Sequence, residues 1–280
     1  MAKLLEGKPI AEKIKEEIKQ QVAALKSKPV LASIMVGENA AAASYVKSQA
    51  KTAEALGIEY QLHKLSEGTQ ETHLIDFIRE LNANKSVHGI IIQMPLPRQI
   101  DYKKISQFIL PEKDVEGMHP ANIGKVLFGK ARILPCTPAA VMELLKSTGV
   151  DLYGKEVVVV GHSEIVGKPL ALLLLEKFAT VTVCHIGTSK AGKLEEHVKK
   201  AEVLIVAVGR AGLIKGEWIK DGAVVIDVGI NRVGDKITGD VEFEAAEKRA
   251  AYITPVPGGV GPLTVTMLMR NLIEAAKLQQ

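Results

Sequence analysis

The stretch Glu156 to Pro169, EVVVVGHSEIVGKP, decides how the rest of the chain is read. Its four consecutive valines, Val157 to Val160, are β-branched and apolar with no polar alternation. That is the pattern of a strand buried on both faces of a parallel sheet. Gly161, His162 and Ser163 break the strand, and Gly167, Lys168, Pro169 and the run Leu170 to Leu175 open a predicted helix. A turn of this kind lets backbone N–H groups approach an anion, and the helix N-terminus adds about half a positive charge. The spacing departs from G-x-G-x-x-G, because Ser163 takes the second glycine's place and Gly167 comes one residue late. Taken alone, the turn serves equally as a tight strand-to-helix connection.

The following segments favour a ligand site. Apolar runs recur at Ala179 to Cys184, Val203 to Val208 and Ala223 to Val228, separated by polar or glycine-rich segments. This β-α-β alternation predicts a doubly wound, Rossmann-like parallel sheet. Dinucleotides bind at the C-terminal ends of such strands, so Gly161 to Ser163, His185 to Ile186, Val208 to Arg210 and Gly229 to Asn231 are expected to line one crevice.

At 280 residues the chain is long enough for two α/β domains. Its net charge is only +4, and basic residues alternate with acidic ones, as in Glu12 to Lys19 and Lys193 to Lys200. Solvated helix faces explain that alternation, and aromatic content of 4% argues against base stacking, so no nucleic-acid partner is expected. Cys136 and Cys184 have no metal or redox spacing and read as free thiols of a reducing compartment. No apolar run approaches the length of a membrane span and the first twenty residues are charged throughout, so a cytoplasmic protein is expected.

The N-terminal part also alternates α and β. Ile10, Ile14, Ile18, Val22 and Leu25 give one apolar helix face, and Leu31 to Val36 reads as a strand ended by Gly37. Ala40 to Leu56 reads as a helix closed by Gly57, followed by a strand near Ile58 to Leu65 and a helix near Gln70 to Asn82. The strand Gly89 to Met94 must stop at Pro95 and Pro97. Beyond a helix near Tyr102 to Phe108, Pro111 to Pro120 reads as irregular loop, with His119 part of it. Thr137 reads as the cap of a helix with Pro138 at its first position, ending near Gly149. Val150 to Gly154 is the expected boundary, which makes residues 1–150 one domain and 151–261 the dinucleotide domain. Tyr252 to Pro262, YITPVPGGVGP, reads as a stiff exposed loop, and the helix after it, within residues 262–280, as packing back on the first domain. Trp218 and Tyr153 are expected to cover core edges, and Asp227 to cap a turn or touch ligand.

The segments VGENAAAASYV, IIQMPLP, PEKDVEG, PCTPAAV, VVVVGHSEIVGKPLA, VVIDVGIN and YITPVPGGVGPLTVTML stand in the order and spacing of the methylenetetrahydrofolate dehydrogenase/cyclohydrolase family. The resemblance covers essentially the whole chain. It implies a two-domain α/β enzyme, usually a homodimer, with a tetrahydrofolate derivative as substrate and NAD or NADP as cofactor. Such enzymes oxidise 5,10-methylenetetrahydrofolate to the 5,10-methenyl cation, and many hydrolyse that cation to 10-formyltetrahydrofolate.

Residue by residue, the resemblance places the family's folate-site tyrosine on Tyr45 and the lysine of its Y-x-x-x-K motif on Gln49. Lys47 and Lys51 lie about 200° and 240° round the helix from Tyr45, so neither replaces that lysine. The glutamine that tunes the lysine falls on Gln93, and the pterin-binding aspartate of K-D-V-D-G falls on Glu116, one methylene longer. Pro95, Leu96, Pro257, Gly258 and Gly259 are the further substrate contacts it implies, and Ile165, Val166 and Gly209 join the cofactor set. Hydride transfer needs no side-chain base, whereas hydrolysis needs a proton moved, which glutamine cannot do near neutral pH. The expectation is a dehydrogenase with weak or absent cyclohydrolase. A fully bifunctional enzyme, a different hydride-transfer enzyme and a silent folate or nucleotide binder are the alternatives.

The second strand ends in Cys184, His185 and Ile186, with no acid for a ribose diol. Where NADP-using relatives carry arginine and serine, this chain has His162 and Ile186, so the reading leans toward NAD, with Lys190 or Lys193 in reach of a 2′-phosphate. No metal site is expected.

Overall fold

The computed structural model describes residues 1–280, the side chain of Ala41 excepted. By contact density the chain divides into one unit of Met1–Glu12 and Thr137–Thr264 and another of Lys13–Cys136 and Val265–Gln280. Three helices carry the chain from one unit to the other: α1 (Gly7–Ala24), α6 (Cys136–Thr148) and the last, Val260–Leu278.

The second unit holds a three-stranded parallel sheet of β2 (Val30–Val36), β3 (Glu59–Leu65) and β4 (Gly89–Ile92), in the order β3-β2-β4. The outer two strands follow helices α2 (Ala40–Ala55) and α3 (Glu71–Ala83). All seven residues of β2 are buried, as expected of a central strand covered on both faces. Its Val30, Ala32, Ile34 and Val36 pack with Leu74, Ile78 and Ile90, while Met35 meets Ala42 and Val46 of α2. After β4 come α4 (Tyr102–Ile105), one turn of 3-10 helix and α5 (Pro120–Leu127).

The first unit is built on a six-stranded all-parallel sheet. It holds β1 (Lys3–Leu4), β5 (Glu156–Val160), β6 (Thr180–Cys184), β7 (Val203–Val206), β8 (Val224–Asp227) and β11 (Tyr252–Ile253), in the order β1-β11-β8-β7-β5-β6. Between β8 and β11 a small antiparallel hairpin is made by β9 (Asn231–Val233) and β10 (Lys236–Thr238). Helices α7 (Gly167–Leu175), α8 (Ile186–Lys190), α9 (Leu194–Lys200) and α10 (Phe243–Glu247) connect the strands, and α11 (Val260–Leu278) ends the chain. Val157 to Val160 are all buried, each contributing about 1.5–3 kcal/mol through burial of its side chain. No helix among the described residues is long and apolar enough to cross a membrane.

Several local expectations are corrected. Helix α6 begins at Cys136, so Thr137 lies inside its first turn and does not precede it. Tyr252 and Ile253 are a buried-side strand, because their backbone pairs with both β8 and β1; the stiff loop starts only after Thr254. His119 is not plain loop, since its Nδ1 accepts from the Ala121 N–H and caps α5. Tyr153 does not cover the core: it is exposed, its ring tilted against the equally exposed Phe178 at 5.6 Å.

Candidate active site

The glycine turn after β5 has the geometry its sequence demands. Gly161 takes φ +130°, which a side chain tolerates poorly, and a Cβ on Gly167 would overlap the Gly161 carbonyl oxygen. Only glycine therefore lets α7 start this close to the strand end. The Ser163 Oγ accepts from the Val166 N–H at 3.2 Å and closes the turn.

Beside the turn lies a cavity of about 320 Å³, within this one unit. Gly161, His162, Ser163, His185, Ile186 and Val208 line it, together with Arg210. The crevice expected from strand order is thus assembled from three of its four segments. Gly229, Ile230 and Asn231 do not line it, and neither do Ile165, Val166 and Gly209. The rings of His162 and His185 lie 5.1 Å apart at 52°. The His185 Nδ1 accepts from the Gly187 N–H, and its backbone N–H donates to Thr188 Oγ1, a reciprocal cap on α8. That bond requires Nδ1 to be unprotonated, so a neutral His185 carries its hydrogen on Nε2.

Asn231 reaches the cavity wall indirectly, through a residue that sequence reading missed. Asp240 accepts from the backbone N–H groups of Val208, Gly209 and Arg210 at 2.7, 3.0 and 2.7 Å, and from Asn231 Nδ2 at 2.8 Å. Asp227 in turn accepts from the N–H groups of Gly229, Asp240 and Val241. Burial pushes its carboxyl up to about 6, against the pull of those three donors. Asp227 therefore caps turns, the first of the two roles open to it. The sequence carries no local signal for this pair: apart from the Asp227–Gly229 turn, its bonds span 9 to 32 positions.

The PVPGGVGP segment is held at its other end. The Gly7 N–H donates to the Gly258 carbonyl at 2.9 Å, and a Cβ on Gly7 would overlap the Gly259 carbonyl oxygen. Both Met94-Pro95 and Val256-Pro257 are cis.

In the other unit, the substituted positions form a buried polar relay. Helix α2 carries Tyr45, half exposed, and four residues on Gln49, only 6% exposed. The Gln49 Oε1 accepts twice, from the Tyr60 hydroxyl at 2.9 Å and from Gln93 Nε2 at 2.8 Å. Gln93, placed by the end of β4, also donates to Ser33 Oγ of β2 at 3.0 Å. Burial pushes the Tyr60 hydroxyl above its ordinary range, so none of the four side chains exchanges a proton near neutrality. Tyr60 is the member that a pattern search cannot find, because β3 reaches α2 only in the folded chain.

The KDVEG loop is positioned from both ends. Lys113, buried, donates to the carbonyls of Leu81, Asn82 and Asn84 and so caps the C-terminal end of α3. Asp114 accepts from the His119 N–H and Asn122 Nδ2. Between them and the glycine, Glu116 Oε2 accepts from the Tyr102 hydroxyl at 3.1 Å. Burial first, and then the neighbouring Asp114 charge, push the Glu116 carboxyl up to about 7, with the Tyr102 bond pulling it down. A carboxyl titrating there is able to exchange protons at neutral pH. Pro95 and Leu96 follow Gln93 and Met94 on the loop leaving β4.

Comparison with known proteins agrees with this division of labour. A family model for the tetrahydrofolate dehydrogenase/cyclohydrolase catalytic domain matches residues 5–116, and one for the NAD(P)-binding domain of the same enzymes matches residues 135–280. The Bifunctional protein FolD of Bacillus pumilus is 51% identical over 280 residues, covering 99% of this chain and 98% of its own. The crystal structure of a bifunctional FolD methylenetetrahydrofolate dehydrogenase/cyclohydrolase from Campylobacter jejuni superposes with a TM-score of 0.96 at 45% identity, covering 100% of both chains. The Trypanosoma brucei enzyme, complexed with NADP and an inhibitor, gives a TM-score of 0.93 at 39% identity, covering 99% of this chain and 98% of its own. With the likeness running through both units from end to end, the chain belongs to the FolD-type tetrahydrofolate dehydrogenase/cyclohydrolase family, whose members join an NAD(P)-dependent oxidoreductase activity to a cyclohydrolase.

Proposed function

We propose that this chain oxidises 5,10-methylenetetrahydrofolate to the 5,10-methenyl cation, and that it hydrolyses that cation slowly or not at all. The six-stranded unit takes the dinucleotide at Gly161, His162, Ser163, His185, Ile186 and Val208, and the bound nicotinamide supplies the hydride acceptor. Tyr45, Gln93, Pro95, Leu96, Glu116 and the Pro257 to Gly259 turn hold the folate. In the oxidation the folate nitrogen lone pair expels the methylene hydride, so the protein's task is to orient the donor carbon and exclude water. Nothing in that step asks Gln49 for a proton.

Hydrolysis differs, because attack by water on the cation releases a proton that some group must accept. The observation that carries the reading is the state of Gln49. It is buried, its oxygen receives two donors, and it belongs to a relay without a group that titrates near pH 7. A second reading, full bifunctionality, is favoured by the bifunctional FolD relatives and by the Glu116 carboxyl at about 7, which offers another proton acceptor. Separate assays of the two reactions on the purified chain decide between them. Oxidation without hydrolysis above the buffer rate supports the first; hydrolysis keeping pace with oxidation supports the second.

For the cofactor we favour NAD. His162 and Ile186 supply no permanent charge for a 2′-phosphate, and Arg210 is the one guanidinium on the cavity wall. Comparable or better kcat/KM with NADP would overturn this. The homodimer and the cytosolic setting rest on the family likeness and on the free state of Cys136 and Cys184.

A further inference from the structure

We infer that Tyr102 is a positioning residue for substrate recognition: its hydroxyl, projected from α4, fixes the Glu116 carboxyl in the orientation and charge state that meets the folate ring. This rests on the proposed role of Glu116 as a folate contact. Neither the family motifs nor any pattern in the sequence singles out Tyr102.

The geometry is local to one unit. Asp101 caps α4 by accepting from the Lys103 N–H at 2.9 Å, which sets the helix start and with it the direction of Tyr102. The Tyr102 ring packs against the core of Ile100, Ile105 and Ile109, leaving its hydroxyl to donate to Glu116 Oε2. Glutamate places its carboxyl one methylene further from the backbone than the aspartate implied by the family motif, with one more rotatable bond. The Tyr102 bond removes that added freedom. Thus the longer acid and the tyrosine within reach of it fit one another.

Two other ionisable side chains act on this carboxyl and its partner, and a third acts on one of those two. Asp114, on the same loop, opposes ionisation of Glu116. Cys136, at the start of α6, is itself pushed up by burial and by Glu116 and Asp114, and Arg270 of α11 acts on Cys136 in the opposite sense. Burial and the adjacent carboxylates push the Tyr102 hydroxyl far above its ordinary range, so it stays a donor. Removing that donor withdraws support from the ionised form of Glu116. The pH at which Glu116 ionises then rises.

The test uses the full chain with the single variant Tyr102→Phe, which keeps the ring and its packing. Steady-state oxidation of methylenetetrahydrofolate is followed across the neutral range, alongside calorimetric binding of 5-formyltetrahydrofolate. The inference expects KM and the binding constant to weaken on the order of tenfold with kcat nearly unchanged, and the acid limb of kcat/KM to move to higher pH. In Glu116→Asp the shorter acid retreats from the hydroxyl, so adding Tyr102→Phe there should change nothing further. An unchanged KM and acid limb in Tyr102→Phe overturns the inference, as does an equal loss in the Glu116→Asp background, which marks a purely structural role. If the unaltered chain neither binds the formyl folate nor turns over the substrate, the functional reading itself falls and takes this one with it. If it binds and Tyr102→Phe binds equally well, only this inference falls.

Discussion

Replacing Gln49 by lysine is the perturbation that most directly exercises the relay. The new ammonium would enter a pocket where Gln49 is 6% exposed and where Tyr60 and Gln93 both donate to its oxygen. An ammonium has three donors and no acceptor, so the surroundings must reverse their polarity. They are built to do so: a flip of the Gln93 amide, which exchanges its nitrogen and oxygen in place, presents the oxygen, and the Tyr60 and Ser33 hydroxyls turn their hydrogens, all without a shift of the backbone. The substitution should therefore cost no more than about 1–3 kcal/mol of stability, the scale of one imperfectly satisfied buried group. Burial lowers the pKa of the lysine toward neutrality and makes it a usable base. General acid–base catalysis contributes about 10²–10⁴-fold, and the rate of methenyltetrahydrofolate hydrolysis should rise by a factor in that range. The oxidation step, which asks no proton of this position, should stay within about a factor of three. Loss of methenyl absorbance and gain of reduced-nicotinamide absorbance report the two rates separately. A folded Gln49→Lys protein that hydrolyses no faster than its parent would refute the reasoning.

Three further outcomes follow from the site. His162→Arg puts a fixed charge on the cavity wall and should move the NADP-to-NAD ratio of kcat/KM toward NADP by about 2 kcal/mol, roughly thirtyfold; an unchanged ratio would place the 2′-position elsewhere. Gly167→Ala forces a methyl group into the Gly161 carbonyl oxygen, so dinucleotide affinity measured by fluorescence titration should collapse while folate binding survives. Asp227→Asn turns an amide N–H₂ toward one of three buried backbone donors and should destabilise the chain by about 1–3 kcal/mol in denaturant melts. An unaltered midpoint would mean the turns do not depend on this carboxyl.

What the sequence disclosed follows from where the signals lie. Val157 to Val160 and the runs opening at Val203 and Ala223 are local and unbroken, and each became a central strand of the parallel sheet. The Lys3–Leu4 strand escaped notice because it is two exposed residues long, added to the sheet edge only by its pairing with Tyr252 and Ile253. Helix α5 hid behind Pro111 to Pro120, whose punctuation ends in a proline that is in fact the helix's first residue, capped by His119. Within the site, the family resemblance led to Gln49, Gln93 and Glu116, but not to Tyr60, Tyr102 or Asp240. Each of those acts across a distance in sequence that only tertiary structure closes, and none belongs to a residue pattern of its own.

The most direct test is made on the unaltered enzyme, given saturating methylenetetrahydrofolate and either dinucleotide, with methenyltetrahydrofolate hydrolysis measured in parallel against buffer. A dehydrogenase with Gln49 in its relay gives clear dinucleotide reduction and a hydrolysis rate barely distinguishable from the uncatalysed one. Reduction of neither dinucleotide, or brisk hydrolysis with Gln49 in place, would contradict that reading.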